Sequence, residues 1–272
     1  MTNASAERPV TQLFDLTGRV ALITGSSGWL GSAMSRALAE AGATVVATSR
    51  EADKAAAVAA ALPTPAGQKH LGLAFNPDQS ETIAPFIADL VGRTGRIDAL
   101  VNNGYGGPAP KIDTAKASDF DASYHSGVTS YFLLAREVAD HLKARKSAGT
   151  IVNIASMYGV VASYPHVYDD LPVHSPPNYH ALKGAVVHLT RHLAVYWAES
   201  GIRVNAISPG PFPTAAIEAR MPTFIPRLAE KVPLGRIGQP EDLKGLIVLL
   251  CSDASAYITG QNILVDGGWT AW

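Results

Sequence analysis

The sequence predicts an α/β protein: a single doubly wound domain on a seven-stranded parallel sheet. Short apolar runs alternate with helical patterns along the chain. This alternation is typical of a parallel sheet covered by helices on both faces. The first run ends in a glycine-rich turn that leads into an alanine-rich helical stretch, as a nucleotide-binding unit requires. We find no internal repeat and no linker rich in proline, glycine and serine, so residues 1–272 are assigned to one domain.

Each element of this fold is predicted from its own residues. The predicted strands are apolar, often β-branched runs at 19–24, 44–48, 71–75, 97–101, 150–154, 203–207 and 262–265. The predicted helices lie between them at 29–41, 51–62, 80–94, 116–146, 179–199 and 241–251.

Composition bounds the class of protein and its partners. Apolar residues make up 47% of the chain, and the net charge of −1 comes from charges spread along it. This balance gives no electrostatic reason to expect nucleic acid or an anionic membrane as partner. No apolar segment approaches the roughly 20 residues of a membrane span. Residues 1–15 are predicted to be an N-terminal extension rather than a signal peptide.

The cysteine usage favours a reducing compartment. Cys251 is the only cysteine, which excludes an intrachain disulfide and fits a cytoplasmic protein. It stands in an apolar run, so we expect a buried side chain rather than a nucleophile.

The turn after the first strand predicts a dinucleotide site in a Rossmann-type fold. Gly25 would make the tight turn, Gly28 would let the backbone approach a pyrophosphate, and Gly31 would let the helix pack closely on the strand. The N-terminus of the following helix would receive the negative charge. The residues between these glycines, Ser27, Trp29 and Leu30, are assigned to the same site.

A second motif, Tyr179-His-Ala-Leu-Lys183, predicts acid–base chemistry. At positions i and i+4 of a helix the two side chains share one face. An ammonium beside the phenol favours the phenolate, which would bring the pKa of the tyrosine down from about 10 toward neutrality. Such a tyrosine can exchange a proton with an alcohol or a ketone.

The two motifs, with further segments in a fixed order, resemble the short-chain dehydrogenase/reductase family from about Leu16 to Gly268. The further segments are Leu100-Val-Asn-Asn103, Ile151-Val-Asn-Ile-Ala-Ser156, Ser208-Pro-Gly210 with Thr214, Arg236-Ile-Gly-Gln-Pro-Glu-Asp242, and Ile258-Thr-Gly-Gln with Val265-Asp-Gly-Gly268.

The resemblance implies an oxidoreductase that interconverts a secondary alcohol and a ketone with a nicotinamide cofactor. It implies that Tyr179 is the acid and base and that Ser156 hydrogen-bonds the substrate oxygen. It also implies that Lys183 lowers the pKa of Tyr179 and holds the cofactor ribose. It also implies a homotetramer or homodimer acting on a small-molecule substrate. The further cofactor contacts that it implies are Asn76, Asn102, Pro209, Gly210 and Thr214.

The end of the second strand favours NADP(H), with NAD(H) as the alternative. An acidic side chain there would bind the adenosine ribose and repel a 2′-phosphate. The chain has Thr48-Ser49-Arg50 instead, and the guanidinium of Arg50 can pair with a phosphate.

Three departures from the family pattern leave other functions open. The Gly-xx-Gly-xx-Gly spacing is that of nucleotide-sugar epimerases, which suggests a non-redox or epimerase-like activity. Asn76 stands where the family has an acid after the third strand. Gly127 stands where a proton-relay asparagine is expected, so water, Ser126 or His125 would have to substitute. That last departure suggests a nucleotide-binding protein with weakened catalysis, although Ser156, Tyr179 and Lys183 are all retained.

Two proline-containing segments are predicted to border the substrate. Residues 162–178 are longer than usual for the family and form an active-site insertion, and residues 212–235 form a substrate lid. Both follow carboxyl ends of strands, where open α/β sheets bind ligands. The polar groups of the insertion suggest a hydroxylated substrate.

The histidines do not predict a metal site. His188 and His192 lack the glutamate of a zincin helix. A site from the insertion residues His166, Asp169, Asp170 and His174 is the less favoured interpretation, and a solvated loop is preferred.

Overall fold

A computed structural model describes residues 7–272 of the chain. Its strands are β1 (Val20–Ile23), β2 (Thr44–Ser49), β3 (Leu71–Ala74), β4 (Ala99–Asn102), β5 (Gly149–Ile154), β6 (Ile202–Pro209) and β7 (Asn262–Val265). They form one parallel sheet in the order β3-β2-β1-β4-β5-β6-β7. The predicted doubly wound sheet is confirmed. The strand order reverses between β1 and β4, which is where such sheets bind ligands.

The helices are α1 (Val10–Leu13), α2 (Trp29–Glu40), α3 (Ala52–Ala60), α4 (Ser80–Thr94), α5 (Ala117–Tyr124), α6 (Ser130–Ala144), α7 (Pro177–Trp197), α8 (Ala215–Arg220), α9 (Phe224–Glu230) and α10 (Lys244–Cys251). Part of the predicted N-terminal extension, residues 1–6, lies outside the described residues, and its remainder holds α1. None of the helices between residues 7 and 272 has the length and hydropathy needed to cross a bilayer.

Three of the differences between predicted and observed helix bounds have identifiable local causes. The predicted helix 116–146 is α5 and α6 joined by a π-helical turn at His125–Thr129, a distortion that often accompanies functional sites. α7 begins at Pro177, two residues before the predicted start, because proline is well suited to the first turn of a helix. The predicted helix 241–251 begins as a 3₁₀ turn at Pro240–Leu243 and continues as α10.

Both faces of the sheet are buried by alternate residues of its strands. In β1, Ala21 and Ile23 face a cluster that includes Met34 and Leu38 of α2 and residues of α10. The intervening residues Val20 and Leu22 face the cluster formed with α4, α6 and α7. Alternation between two apolar layers explains why each strand reads as a continuous apolar run.

The apolar face of α7 contributes to the protein's own core. Val186, Leu193 and Trp197 are buried and Leu189 is partly buried against the sheet-side clusters. This face of α7 therefore packs against the chain's own sheet.

A buried carboxylate holds the amino ends of β1 and β4 together. Asp98 accepts from the Val20 amide at 2.8 Å and receives two hydrogen bonds from Arg96, at 2.6 and 2.7 Å. Arg96 is bidentate, which is the strongest geometry for such a pair. This clamp places the carboxyl ends of the two strands side by side at the functional edge.

Candidate active site

The glycine turn after β1 is shaped by close backbone contacts. Gly25 has a φ of 66°, in the left-handed region that favours glycine, and a Cβ there would lie 2.9 Å from the Gly104 Cα. A Cβ on Gly31 would clash with the Gly25 carbonyl oxygen and lie 2.8 Å from Asn103 Nδ2. Gly31 therefore permits close packing of α2 on the turn itself, rather than on the strand as the sequence suggested.

The turn leaves the N-terminus of α2 open to an anion. Gly28 is the N-cap residue and supplies no side-chain acceptor. The N–H groups of Trp29, Leu30 and Gly31 have no acceptor among the residues that the structure describes. Free N–H groups at the start of a twelve-residue helix form a phosphate site. The glycine cradle and these donors fit the pyrophosphate of a dinucleotide.

A cleft of about 450 Å³ runs from this turn over the carboxyl edge of β1, β2 and β3. The predicted cofactor residues that line it are Gly25, Ser27, Gly28, Trp29, Leu30, Gly31, Arg50, Asn76 and Thr214. Their convergence in one cleft agrees with the predicted dinucleotide site.

The far end of the cleft carries two cations and one acid. Arg50 follows β2 and lines the cleft with Lys54 and Glu51. Lys54 Nζ pairs with Glu51 Oε1 at 2.6 Å, while the Ser27 and Ser49 hydroxyls lie 3.2 Å apart. The sequence interpretation missed Lys54 and Glu51, although their place at the start of the helix that directly follows Arg50 could have indicated that they share the cleft.

Asn102 does not line the cleft, and its prediction as a cofactor contact is corrected. Its side chain is fully buried and donates to the Tyr131 carbonyl at 3.1 Å and to Asn153 Oδ1 at 2.9 Å. It lies within the sheet because it is the last residue of β4. The next residue, Asn103, lines the cleft instead, with Nδ2 donating to the Thr24 and Gly25 carbonyls.

The three predicted catalytic residues share a second cavity of about 450 Å³. Ser156 follows β5, and Tyr179 and Lys183 lie on the first turns of α7. Lys183 Nζ is 5.5 Å from the Tyr179 ring centroid and donates to the Ile154 carbonyl at 2.7 Å. The predicted Pro209 and Gly210 line the same cavity.

This catalytic cavity adjoins the cofactor cleft. Four residues line both spaces: Leu30, Asn103, Tyr105 and Phe212. A group bound along the cleft can therefore reach the catalytic side chains.

Burial controls the ionisation of the tyrosine and the lysine. It raises the pKa of Tyr179 to about 12, and hydrogen bonding with Ser156 opposes this only in part. Burial also lowers the pKa of Lys183 to about 7. The expectation that Lys183 lowers the pKa of Tyr179 toward neutrality is therefore not met by the protein's own residues. The reason is that removal from water disfavours both the phenolate and the ammonium.

The structure also shows what surrounds Gly127. A Cβ there would lie 2.8 Å from Leu182 Cδ1 and 3.3 Å from Tyr105 Cδ2. Of the predicted substitutes for an asparagine, His125 is directed to the Asp78 carbonyl at 2.7 Å, while Ser126 lines the cofactor cleft. Tyr105, which the sequence interpretation missed, and Leu182 are the two side chains beside position 127.

The remaining wall of the catalytic cavity is apolar and aromatic. The hydroxyls of Tyr158 and Tyr168 are hydrogen-bonded at 2.7 Å, and Tyr168 is a residue of the predicted insertion that lines the cavity. The predicted lid contributes Phe224 and Leu228.

The other polar residues of the insertion lie outside this wall. His166 pairs with Asp169 at 3.1 Å on the exposed surface, and His174 bonds the Ala109 carbonyl. Within residues 7–272 no three His, Cys, Asp or Glu side chains converge as metal ligands would.

Comparison with known proteins agrees with this geometry. A family model described as enoyl-(acyl carrier protein) reductase matches residues 26–270. Sorbose reductase of Candida albicans is 35% identical over 267 residues, covering 96% of this chain and 90% of that protein. The 2-dehydro-3-deoxy-D-gluconate 5-dehydrogenase of Escherichia coli is 34% identical over 271 residues, covering 96% and 99%.

A solved structure is similar over the same length. The gluconate 5-dehydrogenase of Burkholderia cenocepacia, in complex with NADP and tartrate, has a TM-score of 0.86 and 34% identity. The match covers 96% of this chain and 99% of that one. These dehydrogenases and reductases support the redox interpretation over the epimerase-like one. The chain is an oxidoreductase of the short-chain dehydrogenase/reductase family.

Proposed function

We propose that the protein interconverts a secondary alcohol and a ketone in a small, polyhydroxylated compound, with NADP(H) as cofactor. The observation that carries this proposal is the continuity of two spaces. The open N-terminus of α2 lies in one, and Ser156, Tyr179 and Lys183 lie in the other, with shared walls between them.

The nicotinamide ring, when bound, supplies or accepts the hydride. The side chains of this chain then handle the oxygen and its proton. Ser156 hydrogen-bonds the substrate oxygen, and Tyr179 donates a proton to it in reduction or takes one in oxidation. Lys183, held by the Ile154 carbonyl, places positive charge beside the phenol when it is protonated and reaches the cofactor ribose.

The preference for NADP(H) is supported by the charge at the end of the cleft. Arg50 is available to a 2′-phosphate, and Ser27 and Ser49 add hydroxyl groups beside it. Glu51 is the opposing charge, but it is paired with Lys54. The similar gluconate 5-dehydrogenase of Burkholderia cenocepacia was crystallised with NADP.

A polyhydroxylated substrate is supported by the cavity wall and by the relatives. Aromatic faces at Tyr158, Tyr168 and Phe224 can stack on the C–H face of a sugar-like compound, and the two tyrosine hydroxyls can bond its hydroxyl groups. The similar proteins are named for sorbose and for sugar acids.

A matched pair of ketones tests this proposal. L-sorbose and 5-dehydro-D-gluconate differ at one terminus, which is hydroxymethyl in the first and carboxylate in the second. We expect NADPH oxidation with at least one of them, and their ratio of kcat/KM identifies the favoured terminus. No turnover of either compound, with ready turnover of hydrophobic ketones, would contradict the polyhydroxylated class.

We also propose a homodimer or homotetramer in a cytoplasmic, reducing compartment. The outer face of α7 exposes Val195 and Tyr196, with relative exposures of 80% and 73%, which a second subunit would cover. The single, buried Cys251 fits a reducing compartment. Light scattering after size-exclusion chromatography tests the assembly, and immunodetection in fractionated cells tests the compartment.

A further inference from the structure

The Tyr105 ring fills a space that two glycines leave for it. A Cβ on Gly107 would lie 2.6 Å from Tyr105 Cζ, which no real Cβ contact tolerates. A Cβ on Gly127 would lie 3.3 Å from Tyr105 Cδ2, so a side chain there would compete with the ring. Position 127 lacks an amide side chain, and an aromatic ring occupies the adjoining space.

The hydroxyl of Tyr105 ties this ring to the start of the catalytic helix. It lies 3.2 Å from Ser123 Oγ, which also accepts from Asn178 Nδ2 at 2.6 Å. Ser123 and Asn178 are fully buried. Because Asn178 immediately precedes Tyr179, the chain of bonds fixes the ring relative to the first turn of α7.

The ring also forms part of an aromatic enclosure around the lysine ammonium. Lys183 Nζ lies 5.7 Å from the ring centroid of Tyr105, 5.9 Å from that of Tyr131 and 5.5 Å from that of Tyr179. The negative face of an aromatic ring attracts a cation at such distances, most strongly where water is excluded. Lys183 is buried, so this attraction is poorly screened.

We propose that Tyr105 is a positioning residue for hydride transfer, whose ring holds the Lys183 ammonium beside Tyr179 in place of a side chain at position 127. The inference rests on the proposed function of this site. Loss of the ring would make the ammonium less stable, and the Tyr179 phenolate would then lose part of its partner's charge. Alcohol oxidation, which needs the phenolate, would require a higher pH.

Two substitutions separate the ring from the hydroxyl. Tyr105→Phe keeps the ring, and we expect it to retain about a third of the parent's kcat because it loses one neutral hydrogen bond. Tyr105→Leu removes the ring, and we expect about a tenfold loss of kcat and an upward shift of roughly one pH unit in the midpoint of alcohol oxidation. Tyr257→Leu, at a fully exposed tyrosine, is the matched control.

A second pair of variants tests the space at position 127. Gly127→Asn alone should lose activity because its Cβ would lie 2.8 Å from Leu182 Cδ1 and 3.3 Å from Tyr105 Cδ2. In a Tyr105→Ala background the same change should cost less activity than it costs in the parent, since the contact with the ring is removed and only the contact with Leu182 remains. Circular dichroism and the Kd for NADPH establish that each variant is folded.

The inference is overturned if Tyr105→Leu matches Tyr105→Phe in both rate and pH midpoint. It is also overturned if Gly127→Asn costs as much activity in the Tyr105→Ala background as it does in the parent. A parent without turnover on any alcohol or ketone would instead contradict the proposed function. In that case the ultraviolet titration of Tyr179, taken as the difference between parent and Tyr179→Phe, reports the same midpoint without catalysis. An unchanged titration in Tyr105→Leu would then overturn the inference.

Discussion

At the scale of single residues, the proposed chemistry needs the charged forms of Tyr179 and Lys183 in surroundings that disfavour charge. Lys183 is buried and Tyr179 is half-buried, and burial shifts the pKa of each toward its neutral form. The Ile154 carbonyl and the aromatic ring faces around Lys183 oppose the effect of burial on its ammonium. A bound cofactor that carries positive charge on its nicotinamide ring would favour the phenolate further.

These pKa shifts predict opposite pH profiles for the two reaction directions. Oxidation needs Tyr179 without its proton, and its pKa is raised to about 12, so kcat/KM for the alcohol should rise through the neutral and alkaline range. Reduction needs the protonated phenol, which is already the main form at neutral pH, so its rate should change little there. Initial rates in both directions from about pH 6 to about pH 10 measure this. Oxidation that declines as the pH rises would contradict the assignment of Tyr179 as base.

Arg50 gives a residue-level prediction of cofactor choice. We expect Arg50→Ala to weaken NADPH binding by roughly 10-fold or more and NADH binding by less than about threefold, because only NADPH carries the 2′-phosphate that the guanidinium pairs with. Fluorescence titration measures both Kd values. Arg93→Ala, at an exposed arginine of α4, is the control. Equal losses for the two cofactors, or tighter binding of NADH by the parent, would contradict the prediction.

At the scale of elements, the edge of the sheet depends on how its strands are anchored. β1 and β4 are joined at their amino ends by Asp98, and at their carboxyl ends the Asn103 amide donates to Thr24 Oγ1 at 2.9 Å. The catalytic helix α7 is positioned at its first turn, where Asn178 also donates to the Pro108 carbonyl at 2.9 Å.

The Asp98 clamp predicts a large loss of stability. Asp98→Ala should lower the free energy of unfolding by about 2–4 kcal/mol, because it leaves the Val20 amide and the Arg96 guanidinium without their buried acceptor. Asp89→Ala, which breaks an exposed i,i+4 pair with Arg93, should cost less than about 1 kcal/mol. Denaturant unfolding compares the two. Similar costs for both variants would show that the clamp does not stabilise the sheet.

The insertion predicts an effect on substrate choice. Tyr168→Phe keeps the ring beside Phe224 and removes the hydroxyl bonded to Tyr158. We expect kcat/KM to fall about fivefold for a polyhydroxylated ketone, as one hydrogen bond implies, and to fall less for a simple alkyl ketone. Tyr164→Phe, whose ring packs on Trp269, is the control. A changed Kd for NADPH, or equal losses on both ketones, would contradict the role of the insertion in the substrate wall.

At the scale of the whole molecule, periodic features were predictable and packing choices were not. The seven strands lie within two residues of their predicted bounds because each is an apolar run between helices. The glycine turn and the Tyr179–Lys183 pair were predictable because their spacing is local. Asn102 was wrongly assigned as a cofactor contact. Of two adjacent asparagines, the sequence does not indicate which one is the last residue of the strand and which one follows it into the cleft. The contacts of Tyr105 with residues 107, 127 and 183 could not be predicted, because these residues are distant in sequence and no local pattern indicates that they meet.

The central claim is that Tyr179 carries the proton in a hydride-transfer reaction. The most direct test is kcat of Tyr179→Phe on the preferred ketone, measured by NADPH absorbance beside the Kd for NADPH. We predict a fall in kcat of about 10³-fold, with the Kd within about threefold of the parent's, because the ring remains and only the acid is lost. Turnover within a few-fold of the parent would contradict the account.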